Sequence, residues 1–123
     1  MDVRDETASL ISTEKVSGTP VYNAQGERVG EIDDIMLDKI SGKVAYAVMS
    51  FGGFLGVGEQ HHPLPWSLLR YDSSLGGYVV NLDKRQLEGA PAYDVGADPG
   101  WGNRSYEEKI YAYYKTPPYW GVM

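Results

Sequence analysis

The run from Lys43 to Trp66, KVAYAVMSFGGFLGVGEQHHPLPW, limits what the chain can fold into more than any other stretch. It opens with β-branched and aromatic residues, breaks into a loop holding Gly52, Gly53, Gly56 and Gly58, and resumes as a segment ending on Pro65-Trp66. In an extended strand, Val44, Tyr46 and Val48 point one way, while Ala45, Ala47, Met49 and Phe51 point the other. Both faces are apolar, so both need cover. One cover is a barrel interior; the other is the C-terminal tail or a second subunit. The prolines at 63 and 65 restrict the returning strand, Gln60 to Leu64, to an edge or an exit point, because proline cannot donate to a ladder. This is the midpoint of a small, strongly bent β-sheet.

The flanking sequence extends the pattern. Ser12 to Val16 reads as one helical turn ending at Gly18, and Pro20 to Tyr22 as a short strand. Asn23 to Glu27 is a turn in which Gly26 can take positive φ. Arg28 to Asp38 is a strand whose alternation slips, with Ile32 on one parity and Ile35 and Leu37 on the other. Such a slip predicts a bulge or bend near Asp33-Asp34. Gly42 closes the next hairpin loop. Trp66 to Tyr71 turns back into a strand, and Tyr78 to Leu82 forms another after a turn at Asp72 to Gly77. Asp83 and Gln86 have capping-box spacing for a short helix near 83–88, stopped by Gly89 and Pro91. The expectation is an all-β barrel of five to six short strands.

Composition changes after Tyr93. Asp94 to Asn103, rich in Gly, Asp and Pro, reads as a linker. A helix near 104–115 follows, opened by a capping-box pattern at Ser105 and Glu108, with Tyr106, Ile110, Tyr113 and Tyr114 as its apolar face. A lone helix this short is marginal in water and must dock on something. The expected divisions are a flexible N-terminus over 1–9, a barrel domain over 10–93 and an aromatic-rich extension over 94–123. That extension would dock on the barrel or on a dimer partner.

The chain of 123 residues has a formal net charge of -6 and no cysteine. Absence of cysteine excludes disulfides, thiolate metal sites and a cysteine nucleophile. The acidic balance and scattered Lys and Arg disfavour direct nucleic-acid binding. No apolar run approaches the roughly 20 residues that span a bilayer. A soluble, cytoplasmic protein without membrane insertion is expected.

Candidate chemical motifs each have a plainer reading. The loop Gly53-Phe54-Leu55-Gly56-Val57-Gly58 has GxxGxG spacing and does not open a helix, so it is not a phosphate cradle. His61 and His62 point to opposite strand faces and cannot share one ion, and Glu59 with His61 supplies too few ligands. Asp33, Asp34 and Asp38 could offer paired carboxylates but suit solvation of the bend. The aromatic tail could stack bases, but its cations Arg104, Lys109 and Lys115 are outnumbered by Asp94, Asp98, Glu107 and Glu108. No catalytic residue, metal or cofactor is expected, and the chain reads as no enzyme. The aromatic surplus points instead to protein contact. The candidate interaction residues are Phe51, Phe54, Leu55 and Trp66, at or beside the glycine loop, and Tyr113, Tyr114, Tyr119 and Trp120 in the tail.

The collinear set Gly18-x-Pro20-Val21-Tyr22, Gly26-x-x-x-Gly30, Asp38-x-x-x-Gly42-Lys43-x-x-Tyr46, Gly53-Phe54-Leu55-Gly56-x-Gly58, Pro65-Trp66 and Leu87-x-x-x-Pro91 resembles the PRC-barrel family. The family includes the cytoplasmic domain of the photosynthetic reaction-centre H subunit, the C-terminal half of a ribosome-maturation factor and many small stand-alone bacterial proteins. The resemblance covers about residues 10 to 93. It implies a small β-barrel used for protein contacts, with no catalytic residues to carry over. The expected role is a non-enzymatic adaptor, a homodimer with an unnamed protein partner. The alternatives are a ribosome- or RNA-processing-associated factor, or a photosynthesis-related accessory protein.

Overall fold

The computed structural model describes residues 7, 9–51, 60–94, 96–101 and 103–120, with the side chain of Phe51 excepted. Phe54, Leu55, Glu59 and the whole glycine loop lie outside the described residues.

Among the described residues seven strands form the sheet, one or two more than the sequence suggests: β1 (Pro20–Tyr22), β2 (Arg28–Leu37), β3 (Val44–Phe51), β4 (Gln60–Pro65), β5 (Arg70–Asp72), β6 (Gly77–Val79) and β7 (Tyr93–Asp94). The helices are α1 (Thr13–Val16), α2 (Lys84–Glu88) and α3 (Arg104–Tyr114), and a 3-10 turn spans Trp66–Leu68. The strand order is β5-β6-β1-β2-β3-β4-β7, with β1 and β6 parallel and all other neighbours antiparallel. Among the described residues no ladder joins β5 to β7. The ribbon is a curled open sheet of the small all-β barrel type, and side chains complete its interior.

The bend in β2 falls where the alternation slips: the register against β3 shifts between Ile32 and Asp34. A second shift follows between Met36 and Leu37. Ile32 is thereby fully buried while Leu37 is turned outward. Gly30 sits where β3 crosses closest, and a Cβ there would meet the Ser50 carbonyl. Gly42, at φ 77°, closes the β2–β3 hairpin in a left-handed conformation that glycine adopts at little cost.

The core gathers Val21, Ile32, Tyr46, Met49, Leu64, Leu87 and Ile110. It takes residues from sheet and tail alike. Residues Ala45 to Met49 are all buried, so both faces of β3 are covered.

Two boundaries differ from expectation. Asp94, expected to open the linker, instead completes a strand with Tyr93, pairing His61 with Tyr93 and Gln60 with Asp94. Two residues are too short to carry a strand signal of their own. The strand from Tyr78 ends at Val79, although Val80 N–H still donates to the Tyr22 carbonyl. The prolines of β4 behave as their chemistry requires. β7 pairs with Gln60 and His61, so among the described residues Pro63 and Pro65 face no strand on that side. The described residues include no helix long and apolar enough to cross a membrane.

Candidate interaction surface

Tyr46 organises the region where sheet and tail meet. Its ring lies 5.3 Å from Trp101, 5.5 Å from Tyr111 and 6.0 Å from Tyr119, centroid to centroid. Its hydroxyl donates to Glu107 Oε1 at 2.7 Å. Burial, then the Glu107 hydrogen bond, drive the phenol far above its usual range, so it stays a donor. Glu107 is 8% exposed. Arg104 comes within 3.9 Å of its carboxylate, and the same guanidinium lies 3.8 Å above the Trp120 ring. Tyr111 adds a long bond of 3.4 Å from its hydroxyl to the Ala45 carbonyl.

α3 reaches this position through its caps. Asn103, not Ser105, is the N-cap: its side chain accepts from Ser105 N–H at 3.0 Å and from the Ser105 hydroxyl at 2.6 Å. The face that α3 turns inward differs from the expected one by about one residue step, because docking on the sheet and not the cap selects it. The buried residues are Glu107, Ile110, Tyr111 and Tyr114. Tyr106 is half-buried, and Tyr113 is 40% exposed, its hydroxyl donating to the Gln86 carbonyl at 2.5 Å. Tyr111, missed in the sequence, replaces Tyr113 in the contact; both fit a helical period, and only the partner surface decides between them. Lys115 closes the helix in the left-handed region at φ 52°.

Of the sequence-derived surface residues, the structure describes Trp66, Tyr113, Tyr114, Tyr119 and Trp120. Trp66 follows Pro65, which pairs with Tyr46 near the start of β3, so it lies at the far end of the β3–β4 ladder from Gln60. Its half-buried ring meets Tyr78 edge-on at 5.3 Å. Tyr114 is buried, and Tyr119 and Trp120 stack on each other at 5.1 Å and on Tyr111 at 6.4 and 5.4 Å. Of the tail candidates only Tyr113 shows substantial surface.

The other large apolar side chains that face solvent among the described residues lie elsewhere, Leu10 ahead of α1 among them. Ile40 is 97% exposed at the tip of the β2–β3 hairpin, and Leu37 beside it is 50% exposed. Tyr71 and Leu75 are exposed on and beside β5. β6 runs parallel to β1, and β1 antiparallel to β2, so the β5–β6 turn leaves the sheet in the same direction as the β2–β3 turn, with Pro20 paired to Glu31 well before Leu37. An isoleucine inside a four-residue polar turn, Lys39-Ile40-Ser41-Gly42, is the signal that could have revealed this end.

The residues suggestive of chemistry have structural partners. His61 Nε2 lies 3.3 Å from Asp33 Oδ2, and its ring meets Tyr93 at 5.5 Å. His62 points the other way, is 5% exposed and is held down to about 4, chiefly by burial and then by His61, against a backbone hydrogen bond at Pro91. Asp38 accepts from Ile40 N–H at 3.1 Å and the Ser41 hydroxyl at 2.9 Å, which shape the hairpin turn and lower its pKa. No group of three metal-ligating side chains occurs among the described residues.

The family profile of the PRC-barrel domain matches residues 10–87. No curated protein matches the chain.

Proposed function

Because the chain belongs to the PRC-barrel family, we propose that it is a non-enzymatic protein-contact module, acting in the cytoplasm and self-associating as a homodimer. The observation that carries the reading is the exposed end of the sheet, where Ile40 stands 97% and Leu37 50% in solvent on a tightly hydrogen-bonded turn. A rigid turn presents an apolar side chain without the entropy cost of ordering it on contact. Tyr71 and Leu75, on and beside β5, are further exposed apolar side chains. The histidines and carboxylates that could have served catalysis are engaged in shaping turns and joining strands, which supports a scaffold rather than an enzyme.

The test is affinity capture from native lysate with the wild-type chain and a Leu37→Glu/Ile40→Glu variant. Both positions are surface positions, so the fold persists. A protein retained by the wild type and lost by the variant is the expected result. Equal capture by both, or none by either, contradicts the reading.

A further inference from the structure

We propose that α3, with the residues packed behind it, is a releasable cap over the β3–β4 face, opening while the barrel stays folded. The seam concentrates buried polar groups. The barrel interior also buries Thr19, Asn23, His62 and the Tyr78 phenol, but it is filled chiefly by Val21, Ile32, Met49 and Leu64, which lose nothing polar on burial. The seam instead buries a carboxylate, Glu107, and the phenols of Tyr46, Tyr111 and Tyr114, with Tyr106 half-buried beside them. Glu107 is met by one phenol hydroxyl and by an Arg104 that is itself half in solvent. The Tyr106 and Tyr114 hydroxyls are buried without a hydrogen-bond partner among the described residues. Burial raises the Tyr106 phenol to about 12 and moves Tyr114 in the same direction.

A buried hydroxyl lacking a partner loses its hydration with no return. When the helix lifts, the hydroxyls of Tyr106 and Tyr114 and the carboxylate of Glu107 regain water, which offsets part of the lost apolar contact. Such polar seams suit surfaces that part and rejoin, and they set a low opening free energy relative to global unfolding. The connection permits it: the matched barrel ends at residue 87, and α3 joins it through the short β7 and a turn-rich strap. The face uncovered is aromatic, centred on Tyr46.

Hydrogen exchange on the intact chain tests the cap. The α3 amides from Ile110 to Tyr114 should be at least about tenfold less protected than those of β2 and β3. Tyr114→Phe, which removes an unpartnered hydroxyl and keeps the ring, should raise α3 protection several-fold. Glu107→Ala should lower it at least about tenfold while β2 and β3 stay protected. Equal protection of α3 and the strands in the wild type overturns the proposal. So does loss of strand protection, or global unfolding, in Glu107→Ala, because α3 would then be part of one cooperative unit.

Discussion

At the scale of single residues, the pair Tyr46–Glu107 shows how little of a side chain's role is local. In the sequence Glu107 is an acidic residue in the first turn of a helix, suited to the helix dipole. In the fold it is buried, and its partner lies 61 positions away. Tyr46→Phe removes the hydroxyl and leaves the carboxylate buried. Because hydrogen bonds to charged groups contribute about 1.5–3 kcal/mol, we expect a loss of about 2 kcal/mol in urea unfolding. An unchanged midpoint would show that the carboxylate is satisfied elsewhere. His62 adds a pH dependence. Its folded pKa of about 4 lies below the unfolded 6.5, so the unfolded chain binds more protons between those values. Stability then falls as pH drops from 6.5 toward 4, by an amount on the order of 2–3 kcal/mol. Denaturant titrations across that window should show the slope in the wild type and a flatter profile in His62→Gln.

At the scale of elements, what could be read locally was read. The bulge in β2 announced itself as a parity slip from Ile32 to Ile35, because alternation reports directly on which face is buried. The capping box of α2 is present in full, with Asp83 accepting from Gln86 N–H and the Gln86 side chain accepting from Asp83 N–H. Asp83→Ala should cost about 1 kcal/mol, measurable by thermal melting. Gly30→Ala should cost about 1–3 kcal/mol, since the added methyl meets the β3 backbone, which cannot retreat without breaking the ladder. An unperturbed melt would mean that β3 is free to shift. The two-residue β7 and the rotation of α3 were not legible. The first depends on His61 and Gln60 offering an edge, and the second on which stripe of α3 the sheet surface around Tyr46 accepts.

At the scale of the whole molecule, the collinear glycine, proline and aromatic positions were enough to indicate the family, because they mark turns and crossings that depend on backbone conformation. Exposure was harder to read. Trp66, Tyr114, Tyr119 and Trp120 are large aromatics that turn inward, whereas Ile40, an unremarked turn residue, stands in solvent. Burial is decided by distant neighbours. Deleting residues 95–123 removes Ile110 and Tyr111 from the core and bares Tyr46, so the melting temperature should fall. An unchanged melt would mean that the extension contributes nothing to the fold. The central claim is that this barrel exists to touch protein, first of all its own copy. Static light scattering on the full chain at micromolar concentration tests it most directly. The account predicts a mass of twice 13.6 kDa for the wild type, falling to 13.6 kDa in Leu37→Glu/Ile40→Glu; a wild type that stays at 13.6 kDa contradicts it.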